Sequence, residues 1–367
     1  MNTHGLRGTD VLLTSRLTQA ASATKGRHTP ALSFAVASTG GLHAVGAVGI
    51  ADLATARPAS TRDQYPWFSM TKIATATAAS RLAAAGRLDL DAAIDTFLPG
   101  YHAGRHQTPT VRQLLTHTAG LSNPLPIRWV RPAGRPADTS LVDTITAKHG
   151  APRRAPGQRA AYSNIGYLLV GRVLEAVTSQ RLEQAIADLV LDPLGMTETG
   201  FDFDHDRPRA TGYVRAPRLA HPLLKWLLPA GIVGDRVGDY SSLRPFLVEG
   251  AAYGGLIGPA SDAVKLATAH LSDTSPLGDL QHMRSITQRG KPFDQGIGWF
   301  RKPADADRTP AFVEHYGTGG GFWNAMRIYP DLGVAIVAMT NNTAAWPYHE
   351  FFTRVVDAYR QHDPPTG

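Results

Sequence analysis

Strand-like segments stand near both ends of this chain, and helical stretches lie between them. Residues 31–36 and 42–48 are short apolar runs on either side of Thr39-Gly40-Gly41, a pattern that predicts a hairpin. Near the other end, 297–300, 322–329 and 334–340 are strand-like, with Asp331-Leu332-Gly333 as the turn between the last two. Strands divided in this way imply one sheet assembled from both ends of the chain. Helices would cover that sheet, and a helical part would be inserted between its halves, an α/β (α+β) arrangement.

The helical stretches are alanine-rich or amphipathic. Residues 69–85 read as a helix stopped by Gly86. Residues 111–115, 164–178, 182–190 and 261–271 also read as helices, and 348–359 has amphipathic spacing. From 202 to 250 the chain is rich in Pro, Gly and Arg with little periodicity, which predicts a long irregular excursion serving as a lid or pocket wall. The sheet-bearing part would then comprise about residues 10–85 plus 255–365, and the helical part with its excursion about 86–254. With 367 residues, 43% of them hydrophobic and 18% charged, the chain can bury a sizeable core.

Several function classes are disfavoured. The net charge is +7, but the thirty arginines and seven lysines are scattered and form no basic stripe interleaved with aromatics, so no nucleic-acid partner is expected. No run of 18 apolar residues exists, so no membrane span and no membrane partner are expected. Residues 1–17 lack an apolar signal region, which predicts a cytoplasmic location. With no cysteine, disulfides, a cysteine nucleophile and cysteine-ligated zinc are excluded. The oligomeric state is left open.

Ser69-Met70-Thr71-Lys72 carries the first chemical signal. Serine and lysine three residues apart share one helix face, so the amine can take the hydroxyl's proton. The pattern is cheap, because Ser22-Ala23-Thr24-Lys25 repeats it. A free lysine has a pKa of about 10.4, so Lys72 needs burial or nearby positive charge to act as a base. Ser69 at a helix start also offers its N–H to an oxyanion. Tyr162-Ser163-Asn164 adds a phenol that can exchange protons with a neighbouring base or leaving group, and an amide that can hold a substrate or Lys72. His315-Tyr316-Gly317-Thr318-Gly319-Gly320-Gly321 lies before a strand, and its glycines allow close backbone approach. There Thr318 N–H is a second oxyanion candidate, Gly317 is a candidate substrate or oxyanion residue beside it, and His315 is a titratable group at the site's edge and a candidate catalytic residue. Trp226 and Trp323 are expected as pocket walls, His117 as a structural histidine beneath the site, and 223–233 as packing or acyl-pocket lining.

These pieces, in this order, resemble the serine beta-lactamase and penicillin-binding-protein superfamily. The likeness is greatest to its class C-like branch of DD-peptidases, family VIII carboxylesterases and acyltransferases. Phe68-Ser69-Met70-Thr71-Lys72, Tyr162-Ser163-Asn164 and His315-Tyr316-Gly317 resemble its three motifs. Residues 114–121, Pro193-Leu194-Gly195-Met196 and Gly254-Gly255-Leu256 are similar to supporting segments. The resemblance implies an antiparallel sheet flanked by helices, an inserted all-helical subdomain, a site between them, and neither metal nor other cofactor. His315 departs from the lysine usual in lactamases.

The resulting expectation is a serine hydrolase working through an acyl-enzyme on a small-molecule ester or amide, with carboxylic ester hydrolysis preferred. Ser69 is the nucleophile, Lys72 and Tyr162 manage the proton with either as first base, and Ser69 and Thr318 N–H groups hold the oxyanion. A beta-lactamase, D-amino-acid peptidase, amidase or acyltransferase of the same fold is the alternative. A non-catalytic binding relative is the alternative from another class.

Overall fold

The computed structural model describes residues 8–26, 28–138, 140–271, 295–304, 309–344 and 346–362. Helix α1 (Gly8–Thr24) leads into the hairpin β1 (Ala31–Ser38) and β2 (Gly41–Asp52), then β3 (Arg57–Pro58) and β4 (Tyr65–Pro66). A single 3-10 turn (Phe68–Met70) opens α2 (Thr71–Ala84). The central part carries α3 (Val111–Leu115), β5 (Val130–Pro132), α4 (Leu141–His149), α5 (Asn164–Thr178) and α6 (Leu182–Ile186). It continues through β6 (Gly212–Arg215), α7 (Ala220–Leu227), β7 (Val233–Val237), β8 (Tyr240–Leu243), β9 (Phe246–Val248) and α8 (Ala251–Gly254). The return to the sheet runs through β10 (Ile257–Gly258), α9 (Ala260–Thr268), β11 (Phe300–Lys302), β12 (Phe312–Gly319), β13 (Phe322–Tyr329), β14 (Val334–Thr340) and α10 (Tyr348–His362).

The main sheet has seven antiparallel strands in the order β11-β12-β13-β14-β1-β2-β3. β1 and β14, nearly the whole chain apart in sequence, lie side by side from Leu32↔Thr340 to Ser38↔Val334. Both strands are mostly apolar, broken only by Ser33, Ser38 and Thr340, because both of their faces are covered. Leu32, Phe34 and Val36 of β1 join Val334, Ile336 and Ala338 of β14 against Leu17 of α1 and Phe351 and Val355 of α10. The alternate residues Ala35, Ala37, Ala335, Val337 and Met339 face the opposite way, into the larger core with Ile73 of α2 and Val264 of α9. That second core continues through α5 and α6, so the helical part and the sheet share one apolar interior around α2.

The structure corrects several expectations. The stretch 202–250 is not irregular. It holds α7 and a three-stranded antiparallel sheet, β6-β8-β7, while β9 pairs with β5. The inserted part is therefore not wholly helical. These strands are only three to five residues long, too short to show a period in sequence. The strand expected at 297–300 begins at Phe300. Strand β12 was not anticipated, because buried Glu314 and His315 interrupt its apolar pattern. The helix expected at 182–190 ends at Ile186 and passes into a π-helical turn at Ala187–Leu191. Among the described residues, no helix is long and apolar enough to cross a membrane.

Glu314 is tolerated inside the sheet because Arg327, on the neighbouring strand, donates to it at 2.9 Å. Both side chains are buried, and Arg327 is sandwiched between the rings of Phe312 and Phe352 at 4.2 and 4.3 Å. Removing the carboxylate alone leaves a buried cation without its counter-charge. Glu314→Ala is expected to lower stability by about 3 kcal/mol, and adding Arg327→Met should recover most of the loss. Urea denaturation of the single and double variants at pH 7 measures both.

Candidate active site

Ser69 is held where three backbone segments converge. Trp67 N–H donates to the Leu256 carbonyl at 2.8 Å, and its indole N–H donates to the Gly258 carbonyl at 3.2 Å. Phe68 follows in the left-handed region (φ +48°), a conformation costly for a residue with a side chain. Its ring packs near Phe246 and Phe322, with centroids at 6.1 and 6.2 Å. The start of α2 is then fastened to residues 252–256. Thr71 Oγ1 accepts from Leu256 N–H at 3.1 Å, and Thr75 Oγ1 donates to the Ala252 carbonyl at 2.7 Å. These contacts explain why threonines interrupt an otherwise apolar helix face.

Lys72 is the second residue of α2, one turn beyond Ser69, and is fully buried. Its Nζ donates to Ser69 Oγ at 3.1 Å and to the Tyr253 carbonyl at 3.0 Å. It also lies 4.9, 5.5 and 5.3 Å from the ring centroids of Tyr162, Tyr167 and Tyr253. Those ring faces favour a cation, but burial outweighs them and holds the Lys72 pKa well below the usual lysine value. Burial thereby biases the amine toward its uncharged, proton-accepting form.

Tyr162 approaches from the opposite side, its hydroxyl donating to Ser69 Oγ at 2.6 Å. Burial raises its pKa well above the ordinary phenol value, so it stays protonated. Its position follows from the cap of α5. Ser163 Oγ accepts from Gly166 N–H at 3.3 Å and donates to the Ser122 carbonyl at 2.8 Å. His117 supports the same segment: Nδ1 accepts from Ser163 N–H at 3.2 Å, and the ring packs on Tyr162 with centroids 4.6 Å apart. Burial, with Lys72 and His315 nearby, pushes its pKa well down, so it remains neutral beneath the site.

The third motif forms one wall. β11 pairs with β12 only from Phe312 to Glu314, so β12 from His315 onward has no β11 partner. A Cβ on Gly317 would lie 2.0 Å from the Trp67 carbonyl oxygen and 3.1 Å from Ser69 N. Glycine is what lets this backbone close on the nucleophile's own N–H. Thr318 lies next along the wall, at the cavity that also exposes Ser69.

His315 is not at the site's edge as expected. It is buried inside β12, with Nδ1 2.6 Å from the Gly298 carbonyl and the ring stacked on Phe300 at 4.9 Å. A carbonyl can only accept, so Nδ1 carries the proton and Nε2 presents a lone pair. Burial, reinforced by Lys72, pushes its pKa down to about 3. The motif therefore brings no positive charge to the site.

Asn164 opens α5, and its N–H donates to Asn123 Oδ1 at 3.0 Å. Its own Oδ1 is buried and without a partner, on the cavity wall. It was expected to hold a substrate or Lys72, but the Lys72 amine is engaged by Ser69 and Tyr253 instead. The cavity encloses about 300 Å³ and is lined by Phe68, Pro126, Ile127, Val130, Leu228, Ile232, Leu243, Phe246, Val248 and Tyr253 around Ser69, Asn164 and Thr318. Among the described residues, none of its lining side chains is charged. Leu228 and Ile232 thus serve the lining role considered for 223–233. Trp226 is exposed and Trp323 lies in the core under α10, so neither is a wall. The Tyr253 carbonyl was not foreseen, although Gly254-Gly255-Leu256 next to it had been singled out. The second Ser-x-x-Lys is built differently, with Ser22 exposed at the end of α1 and Lys25 donating to the Thr29 carbonyl at 3.1 Å.

The Beta-lactamase family model matches residues 16–357. The chain belongs to the beta-lactamase family. It is 26% identical over 353 residues to penicillin-binding protein 4 of Amycolatopsis lactamdurans, covering 91% of this chain and 85% of that protein. The D-amino acid amidase of Ochrobactrum anthropi SV3 shares the fold with a TM-score of 0.75 at 21% identity, covering 96% and 99% of the two chains. EstCE1, a hydrolase with promiscuous acyltransferase activity, shares it at 0.69 and 20%, covering 96% and 98%.

In this beta-lactamase-family chain, burial of Lys72 makes stability depend on pH. The unfolded amine keeps its proton up to about 10.5, whereas the folded one loses it well below that value. Between those limits the unfolded chain binds the extra proton, so this residue's contribution to stability rises with pH. Lys72→Met is expected to raise the melting temperature at pH 7, with the advantage shrinking as pH approaches 10. Thermal melts of both proteins across that range test the sign.

Proposed function

We propose that this protein hydrolyses carboxylic esters of uncharged, apolar acids through an acyl-enzyme on Ser69. The observation that carries the reading is Ser69 Oγ held between the buried Lys72 amine at 3.1 Å and a phenol at 2.6 Å, facing a cavity lined by no charged side chain among the described residues. Lys72 is the first base, because it is the group whose surroundings favour the proton-accepting form. Ser69 attacks the ester carbonyl as its proton passes to Lys72. The developing oxyanion is held by the N–H groups of Ser69 and Thr318. Tyr162 protonates the departing alcohol, and the proton held by Lys72 restores the phenol. Water then attacks the acyl-enzyme by the same steps in reverse order, returning Ser69 and releasing the acid.

Neutral His315 supports esters over lactams and carboxylate-ended peptides. Those substrates carry an anion, and neither this motif nor the cavity wall offers a cation to it. A second reading, hydrolysis of small amino-acid amides, is favoured by Asn164 Oδ1, which is buried and free to accept from a substrate N–H. The acyl acceptor in either case is a small molecule or water.

Turnover of p-nitrophenyl butyrate, phenylalanine amide and nitrocefin by wild type and Ser69→Ala tests this reading. Ester turnover should dominate and fall by about 10³-fold or more in the variant. Nitrocefin hydrolysed faster than the ester would overturn the preference, and full ester activity in the variant would overturn the mechanism. The pH profile of kcat/KM should show one ascending limb as pH rises through the lowered Lys72 pKa. His315, titrating near pH 3, should add no step in the neutral range. Lys72→Arg, which cannot shed its proton, should be inactive throughout.

A further inference from the structure

Helix α7 carries two apolar stripes, and only one of them is used. Leu224 and Leu228 pack toward the core. Leu219, Leu223 and Trp226, spaced i, i+4, i+7 on another face, are 92%, 54% and 70% exposed. Across from them stand Leu125 and Ile127, at 79% and 41%. Arg128 joins the two segments by donating to the Trp226 carbonyl at 3.4 Å. Five of the nine large apolar side chains exposed among the described residues thus gather on one platform. The platform is continuous with the Ser69 cavity, since Ile127 belongs to both and Leu228, just after α7, lines the cavity wall.

Within the two segments that form it the charge has one sign, acids returning only at Asp138 and Asp235 beyond them. Residues 121–137 and 216–234 contain no Asp or Glu, whereas Arg128, Arg218 and Lys225 are exposed there. A short amphipathic helix with Trp and Leu outward and cations at its flanks suits the boundary of an anionic lipid layer. A second copy of the chain suits it less well, because pairing the same face with itself would bring like charges together.

We propose that α7 and the 125–128 segment dock this protein on an anionic lipid surface, with the mouth of the Ser69 cavity turned toward the lipid. The helix lies on the surface and does not cross it. The sequence expectation of no membrane partner is revised at this face. Docking does not depend on the proposed ester hydrolysis, since binding can be read without turnover.

The test is sedimentation of the full chain with vesicles of equal phosphatidylglycerol and phosphatidylcholine, and with phosphatidylcholine alone. Wild type should bind the anionic vesicles about 10-fold better than the neutral ones, and Leu223→Asp/Trp226→Asp should lose that binding by about 10-fold. Ser69→Ala should bind like wild type, which separates docking from catalysis. Trp226→Phe should keep the binding but lose a blue shift of tryptophan emission on vesicle addition. The Asp double variant should keep the wild-type melting temperature and its rate on a short soluble ester, because neither residue lines the cavity. Equal vesicle binding by wild type and the double variant would overturn the proposal. So would light scattering that shows a wild-type dimer dissociating in that variant, which would make the face a contact between copies.

Discussion

A lysine amine buried without a carboxylate is the constraint around which the site is arranged. Its two hydrogen-bond partners, Ser69 Oγ and the Tyr253 carbonyl, are uncharged. The interior can accept such a group only as the free amine, and the free amine is what a serine nucleophile needs beside it. Several features of the chain follow from that requirement. Tyr162, Tyr167 and Tyr253 close over the amine and exclude water. The threonines at 71 and 75 tie α2 to the backbone that supplies the acceptor carbonyl. His117 and His315 lie within electrostatic reach and are themselves held neutral by burial, so neither introduces a charge that the pocket cannot solvate.

The close approach of β12 is the second half of the arrangement. Because the wall against Ser69 is backbone, the positions that face it must lack side chains. Gly317 would collide with the Trp67 carbonyl, and Gly319 with the Phe68 ring, if either bore a Cβ. Phe68 in turn takes a left-handed backbone that brings Ser69 to the start of α2. Strain at Phe68 and the bare strand at 317–319 are two sides of one contact. The glycine-rich third motif was legible in sequence because that contact allows no other residue.

The same logic explains what sequence reading reached and what it missed. Strand β14 came out with its boundaries because both faces are buried, which writes a nearly unbroken apolar run begun after Gly333 in the left-handed region, and β13 came out because its aromatic and aliphatic residues outweigh Asn324 and Arg327. Helix α5 came out because Ser163 caps it and its apolar face is wide. β12 did not, because its ion pair to Arg327 and its buried histidine look like surface polarity in a linear string. The strands within 202–250 are stabilised by one another and by the cavity they wall, and such contacts leave no local period. Of the candidate site, the side chains that meet around Ser69 were named from motif spacing. The Tyr253 carbonyl and the apolar character of the cavity were not, since one is backbone and the other is pooled from five separate segments.

The distribution of charge divides the molecule's polar work between the depth of the site and its rim. Inside, no charged side chain lines the cavity among the described residues, and burial biases the two titratable groups that touch Ser69 toward their neutral forms. A substrate bearing an anion near its carbonyl would have to shed its water with nothing cationic to replace it, a desolvation cost that apolar esters escape. At the rim the cations reappear, on Arg128, Arg218 and Lys225, beside apolar side chains that the fold leaves uncovered. Solvent supports charge there, so under the proposed docking these cations would attract an anionic surface without entering the site. An uncharged ester delivered from such a surface would pass from an apolar layer, along Ile127 and Leu228, to an apolar cavity, and its acyl chain would not have to cross water on the way.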